Sequence, residues 1–424
     1  METPATTRER ARAALLSLGE ALLGGGPEEA PLDRLAGRVL AAPVVAERDV
    51  PPLSHATMDG FAVTADDDPP LSLAEGRVAP GDDPPEHEPG VARRVATGGS
   101  LPSGADAVIP REDARVGDDA LRSIPVDPGA NVVERASVVA AGETVLAAGR
   151  RLAPRDAALL RDLGRDAVPV RPRLSAALLA TGTEIYEGRE PDRDSETLAN
   201  LVRAWGGAPA LAGSVPDDPD RASERVAALA TDHDVVVTTG GTGVGRTDET
   251  AGVLGGAAEV RVRDVPLRPG SNTTVAWLPE SGTAVASLPG PPGAAFSSAT
   301  LFLRPLFVGR QRVPTLRGRM ACDLPVPDQE LTFVVPVELV DGSGGPVHGS
   351  DGPVHGSDGP ERETVRVVPF GHATSTVDLY GERFRPRRVS TCARLAAADG
   401  FVLTDGDLRA DDRVDVVPYT AVET

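Results

Sequence analysis

Between residues 174 and 310, short apolar runs alternate with stretches of helical periodicity. No other feature constrains the fold of this chain as much. LSAALLATGTEI (174–185) reads as a buried strand running into a loop, and SETLANLVRAWGG (195–207) as a helix stopped by glycines. DDPDRASERVAALATDH (217–233) reads as an acid-capped helix, and DVVVTT (234–239) as a second buried strand. TAVASLPGPPGAAFSSATLFLRPLF (283–307) reads as strand, tight loop and helix. Strands alternating with helices predict βαβ units and a mostly parallel sheet. In such sheets ligands sit beyond the C-terminal ends of the strands. Three unusual loops, 181–184, 240–248 and 289–293, all fall there.

The flanks differ in character. Residues 7–23 (TRERARAALLSLGEALL) carry helical apolar spacing with a glycine stop at 24–26. Residues 50–135 break into short β-type pieces rich in Pro and Gly, and residues 154–163 read as a short helix. Beyond about residue 311 the pattern returns to β, resuming at ETVRVVPF and closing at DDRVDVVPY. Between them, residues 346–359 repeat PVHGSDG in tandem, a polar low-complexity tract. It reads as a duplicated surface loop in preference to a metal site built on His348 and His355. At 424 residues the chain exceeds one core, and a prior of roughly 150 residues per domain suggests about three domains. The fold class expected is α/β plus β, in several domains.

Charge narrows the partners. The formal net charge is −20 and all 43 Lys+Arg residues are arginine. Such a surface argues against nucleic acid and anionic membranes, both of which need basic patches, and suits a solvated, halophilic-type acidic exterior. An anionic ligand would need a local arginine, backbone N–H groups or a bound cation. Cys322 and Cys392 are far apart with no CxxC, so two reduced packing thiols are expected rather than a zinc site or a disulfide framework. No run reaches the ~20 apolar residues of a membrane helix, and the N-terminal stretch has no signal-peptide apolar core. A reduced cytoplasmic setting is the expectation.

DVVVTTGGTGVGRTDET (234–250) holds the sharpest chemistry. A strand ending in Gly-Gly-Thr-Gly presents several backbone N–H groups at one point, and without Cβ atoms the chain can approach a ligand closely. A helix starting after Gly245 would add its positive end, completing an anion cradle. Taken alone, such a loop is equally a tight turn. Asp248 follows closely, and a carboxylate beside a phosphate cradle is repulsive unless a cation lies between. Mg²⁺, which takes one or two carboxylates plus ligand oxygens, is the obvious one. The alternative is an N-cap for the next helix. Glu184 and Asp217 lie in loops at the same sheet edge and favour the ligand reading. In SHATMDGFAV (54–63), spacing alone reads Asp59-Gly60 as a turn between strands. ATGGSLPSGADAVIPRED (96–113) similarly sets Thr97 and Gly98 at a turn before a strand and acids.

Taken together, MDGFAV, ATGGSLPSGADAVIPRED, LLATGTEI, TTGGTGVGRTD and LPGPPGAAF, with the weaker AAADGFVLTDGD, resemble the molybdopterin molybdenumtransferase family (MoeA-type, including the gephyrin E domain). They stand in the family's order over nearly the whole chain. The resemblance implies four domains: a helical and extended piece (1–48 and 137–172), a β-rich insert (49–136), an α/β molybdopterin-binding domain (173–310) and a C-terminal β-barrel-like domain (311–424). It implies a homodimer with the site between subunits. It also implies insertion of molybdate into adenylyl-molybdopterin with Mg²⁺ assistance and release of AMP, and a molybdopterin adenylyltransferase as a partner. Position by position, it assigns Asp59, Glu184 and Asp248 to catalysis, with Asp248 and Glu184 on the metal. Substrate binding falls to Thr97, Gly98, Thr181, Gly182, Asp217, Gly240, Gly241, Thr242, Gly243, Gly245, Arg268, Pro289, Gly290 and Pro292.

The chain departs from the family pattern at several places. Its Gly-Glu-Asp is Ala136-Ser137-Val138, its Asp-Ser-Asn is Asp194-Ser195-Glu196, and its Lys-Pro-Gly-Lys is Arg268-Pro269-Gly270-Ser271. Pro291 replaces an asparagine and removes an amide and an N–H. These departures keep a second reading open: a paralogue that binds molybdopterin without turnover. A third, a molybdopterin adenylyltransferase, shares the Gly-Gly-Thr-Gly…Asp loop, but the long β-insert and C-terminal domain argue against it.

Overall fold

A computed structural model of the chain describes residues 7–122, 126–240, 258–309, 313–340, 365–391 and 393–423. It separates into two compact units, residues 1–26 with 171–424 and residues 27–170.

The larger unit contains the α/β sheet. Its strand order is Ala208–Val215, Ser175–Thr181, Val235–Gly240, Thr283–Leu288, Thr274–Leu278, Glu259–Val262. The first four are parallel, Thr274–Leu278 runs antiparallel to them, and Glu259–Val262 pairs antiparallel with Thr274–Leu278. The alternation of strands and helices therefore yields the mostly parallel sheet expected of it. Val235, Val236 and Val237 are all fully buried, as a central parallel strand covered on both faces must be. Leu178, Val235 and Val237 face one core cluster with Leu198, Val202, Trp205 and Phe302. Leu179 and Val236 face the other with Val226 and Leu229. The period of two along each strand thus assigns residues to two opposite helix layers.

Helix ends follow local chemistry. In Pro219–Ala230, Asp218 caps the N-terminus through the Asp220 and Arg221 N–H groups, with Pro219 in the first turn. The Ser195–Ala204 helix ends at Gly206 and Gly207. The Arg8–Leu22 helix, capped by Thr7, also belongs to this unit. Its Gly19 lies so close to Leu306 that a Cβ there would stand 2.7 Å from the Leu306 carbonyl oxygen.

The C-terminal part of the same unit forms a closed five-stranded barrel. Thr332–Val340 pairs with both Arg366–Pro369 and Gly400–Thr404. The ring closes through Leu316–Met320 and Arg413–Pro418. Leu267–Arg268 leaves the α/β sheet and pairs parallel with the start of Thr332–Val340. Trp205 fastens barrel to sheet: its buried Nε1 donates to the Val422 carbonyl at 2.6 Å.

The smaller unit holds a six-stranded sheet, ordered Ala107–Pro110, Gly60–Val63, Val91–Val95, Leu71–Val78, Ala120–Leu121, Val116–Gly117. A separate apolar cluster, including Leu35, Leu40, Leu146, Leu160 and Val170, gathers the segments on either side of it in sequence. Among the described residues no helix is long and apolar enough to cross a membrane.

Candidate active site

The strand order of the α/β sheet reverses between Ser175–Thr181 and Val235–Gly240. The chain leaves the first of these for Ala208–Val215 on one side and returns to the second on the other. That reversal opens a crevice beyond the two C-terminal ends. Thr181 pairs with Gly240 across it. Gly240 has φ +78°, and a Cβ on it would stand 2.4 Å from the Thr181 carbonyl oxygen. A Cβ on Gly290 would stand 2.9 Å from the Gly240 Cα. The loops beginning at 181, 240 and 289 therefore converge, and the glycines are what allow them to touch.

Neighbouring side chains complete the crevice. The Thr181 hydroxyl donates to the Thr239 carbonyl at 3.0 Å, tying the two strand ends together. Gly182, at φ +151°, caps the short Thr183–Tyr186 helix and donates its N–H to the Val215 carbonyl. Glu184 folds back beside it, with Oε1 2.9 Å from where a Gly182 Cβ would be. Asp217 accepts the Thr183 N–H at 3.2 Å, and its own N–H donates to the Thr183 hydroxyl at 3.1 Å. Asp217 thus braces the loop that carries Glu184. In the third loop the Pro291 carbonyl accepts the N–H groups of Ala294 and Ala295, and Pro292 opens the helix. Pro291 is therefore compatible with the helix start, although it offers no N–H to a ligand.

Gly241, Thr242, Gly243, Gly245 and Asp248 lie outside the described residues, as do His348 and His355. Arg268 is exposed on its short strand against the barrel. Gly270 of that segment packs on Ser298, whose hydroxyl accepts from Thr273 at 2.9 Å.

The second cluster lies within the smaller unit. Gly60 is not the centre of a turn, as spacing suggested, but the first residue of a strand paired with both Val95 and Pro110. A Cβ there would stand 2.2 Å from the Ile109 carbonyl oxygen, so the Met-Asp-Gly motif needs its glycine for a close strand approach. Asp59 is thereby held at the sheet end. Its Oδ1 accepts the Thr97 N–H at 2.8 Å and the Thr97 hydroxyl at 3.1 Å. These bonds, the N–H first, with the charges of Arg77 and Arg111, keep its carboxyl below the usual carboxylate range. Gly98, at φ +76°, makes the turn that follows Thr97.

Asp194, which is not among the expected site residues, is only 8% exposed at the start of the Ser195–Ala204 helix. Burial, reinforced by the neighbouring Asp192 charge, pushes its carboxyl up to about 7. The buried Ser195 Oγ beside it has no hydrogen-bond partner among the described residues. Ala136 stands where the family pattern carries glycine and adopts φ +61°, a conformation costly for any residue with a Cβ. Ala136→Gly is therefore expected to stabilise the chain by about 1 kcal/mol, read as a rise in the urea unfolding midpoint. Val138, in the place of an acid, is 61% exposed.

These features belong to a molybdopterin-binding α/β domain joined to a MoeA-type N-terminal region. Residues 6–164 match the model of the MoeA N-terminal region (domain I and II), and residues 177–308 that of the probable molybdopterin binding domain. Molybdopterin molybdenumtransferase of Nostoc sp. is 31% identical over 288 residues, covering 64% of this chain and slightly under two thirds, 66%, of that protein. Molybdopterin molybdenumtransferase 2 of Mycobacterium tuberculosis is 31% identical over 302 residues, covering 66% of this chain and 74% of that protein. The crystal structure of a molybdopterin biosynthesis MoeA protein from Pyrococcus horikoshii superposes with TM-score 0.73 at 25% identity, covering 98% of this chain and 99% of that one. The chain belongs to the molybdopterin molybdenumtransferase family, transferases of molybdenum cofactor biosynthesis.

Proposed function

We propose that the chain inserts molybdate into adenylyl-molybdopterin, releasing AMP and forming the molybdenum cofactor. The observation that carries this reading is the convergence of Thr181, Gly240 and Gly290 at the topological switch point. It occurs in a chain whose relatives bear that transferase's name.

In this reading the Gly240 loop and the Leu-Pro-Gly loop cradle the phosphoanhydride with backbone N–H groups. Mg²⁺ fits the residues present. The Glu184 carboxylate has no protein hydrogen-bond partner among the described residues, whereas Asp217 is committed to Thr183. Glu184, with Asp248, would hold the ion, and the remaining positions suit phosphate oxygens and water. When bound, it neutralises charge building on the anhydride oxygens. Asp217 keeps Glu184 in place, Thr181 fixes the two strand ends, and Thr97 holds Asp59 ionised. The proposal includes the four-domain division, a homodimer, a cytoplasmic setting, an acidic exterior suited to high salt, and an adenylyltransferase supplying the substrate.

The test is molybdate-dependent AMP release by purified protein with Mg²⁺. The expected result is release that Glu184→Gln lowers by about a hundredfold, a typical scale for one charge-stabilising group. Equal release by wild type and variant, or none by either, contradicts the proposal. A second reading, a cofactor-holding paralogue, draws on exposed Val138 in place of an acid and on Pro291 in place of an amide. Tight molybdopterin binding without AMP release would favour it.

A further inference from the structure

Four adjacent segments of the insert bring a row of functional groups to one sheet end. Gly60 pairs with Pro110 on one side and Val95 on the other, while Val78 pairs with Val95. Arg111, Asp59 and Arg77 adjoin Pro110, Gly60 and Val78, and Thr97, two residues beyond Val95, bonds to Asp59. In a chain of net charge −20, two arginines thus flank the Asp59–Thr97 pair. Arg77 Nη2 lies 3.3 Å from both carboxylate oxygens of Asp59. Both side chains are about half exposed, and an ion pair so exposed contributes little to stability. Among the described residues, no protein group takes Nε or Nη1 of Arg77, or the Arg111 guanidinium. The adjoining groove of about 510 Å³ carries Glu75, Asp82 and Asp83 as well as Arg77 and Arg93, so an anion is better accommodated at the sheet end than along that groove. A carboxylate facing an anionic substrate directly would repel it. A carboxylate that fixes a guanidinium, with several donors left over, attracts it.

We propose that Arg77 is the residue with which the insert engages the phosphate groups of the substrate, Asp59 being its positioning residue and Arg111 a second positive charge. Asp59 is anchored by Thr97 and holds the guanidinium in place. This refines the role given to Asp59 and rests on the transferase reading.

Arg77→Met, Arg77→Lys, Asp59→Asn and the double variant Asp59→Asn/Arg77→Met test it. For adenylyl-molybdopterin, Arg77→Met is expected to raise KM at least tenfold with kcat changed less than threefold, and Arg77→Lys to recover part of the loss. The double variant is expected to be no worse in KM than Arg77→Met, because Asp59 acts on that term through Arg77. Multiplying KM effects, or a kcat loss with KM unchanged, overturns the proposal. Calorimetric titration with inorganic pyrophosphate gives a readout independent of turnover. Weaker binding by Arg77→Met supports the inference even if wild type releases no AMP, an outcome that removes the transferase reading alone. Pyrophosphate affinity equal in wild type and Arg77→Met overturns it, as does absence of binding by wild type.

Discussion

Gly240→Ala is expected to lower AMP release by at least a hundredfold and to destabilise the larger unit by about 3 kcal/mol. Two effects combine at this one position. The backbone sits at φ +78°, which an L side chain rarely adopts, and the added methyl would stand 2.4 Å from the Thr181 carbonyl oxygen. That oxygen is backbone on the adjacent parallel strand, so neither partner can rotate away. Relief requires the strand ends to separate, which also displaces Gly290 from its packing on Gly240. Thermal melting and AMP release measured on one preparation separate the two losses. Wild-type activity in Gly240→Ala would show that the strand ends need not touch.

Asp194→Asn is expected to stabilise the chain at pH 8 by on the order of 2–4 kcal/mol and to leave it nearly unchanged at pH 4. The folded-state value is raised from 3.8 to about 7 by burial and by Asp192. Between those two values the native state holds a proton that the unfolded chain has released, so this group's contribution falls as pH rises. Above about 7 both states are ionised and the full cost of a buried carboxylate remains. The difference in unfolding free energy between wild type and variant should therefore grow from pH 4 to pH 7 and then level off. A difference that does not change with pH would show that Asp194 is ionised in the fold without penalty.

Much of this was readable from residues because the α/β sheet writes itself in long periodic runs. DVVVTT is buried on both faces, as its lack of alternation implies, and every loop picked out as unusual begins at a parallel strand's C-terminal end. The edges were less legible. Ala208–Val215 is a largely exposed edge strand with Leu211 60% exposed, and its APALAGSV has no β-branched or aromatic residue before Val215 to mark it as a strand. Glu259–Val262 is four residues long and, among the described residues, pairs on one side only. Asp59-Gly60 imitates a turn dipeptide because the close approach of Ile109 comes from a strand nearly fifty positions away. Arg77 carries no motif at all, and only the register of three strands sets it beside Asp59. Asp194 looked like an ordinary helix start, since nothing local announces that its carboxyl is buried.

In the proposed function, adenylyl-molybdopterin is held where the two central strand ends meet the Leu-Pro-Gly loop. A crystal of the protein soaked with AMP, molybdate and Mg²⁺ tests this most directly. The expected result is nucleotide density whose phosphate lies against the backbone of Thr181, Gly240 and Gly290, with a metal peak beside Glu184. Well-ordered nucleotide elsewhere on the chain, with that crevice holding only solvent, would contradict the account.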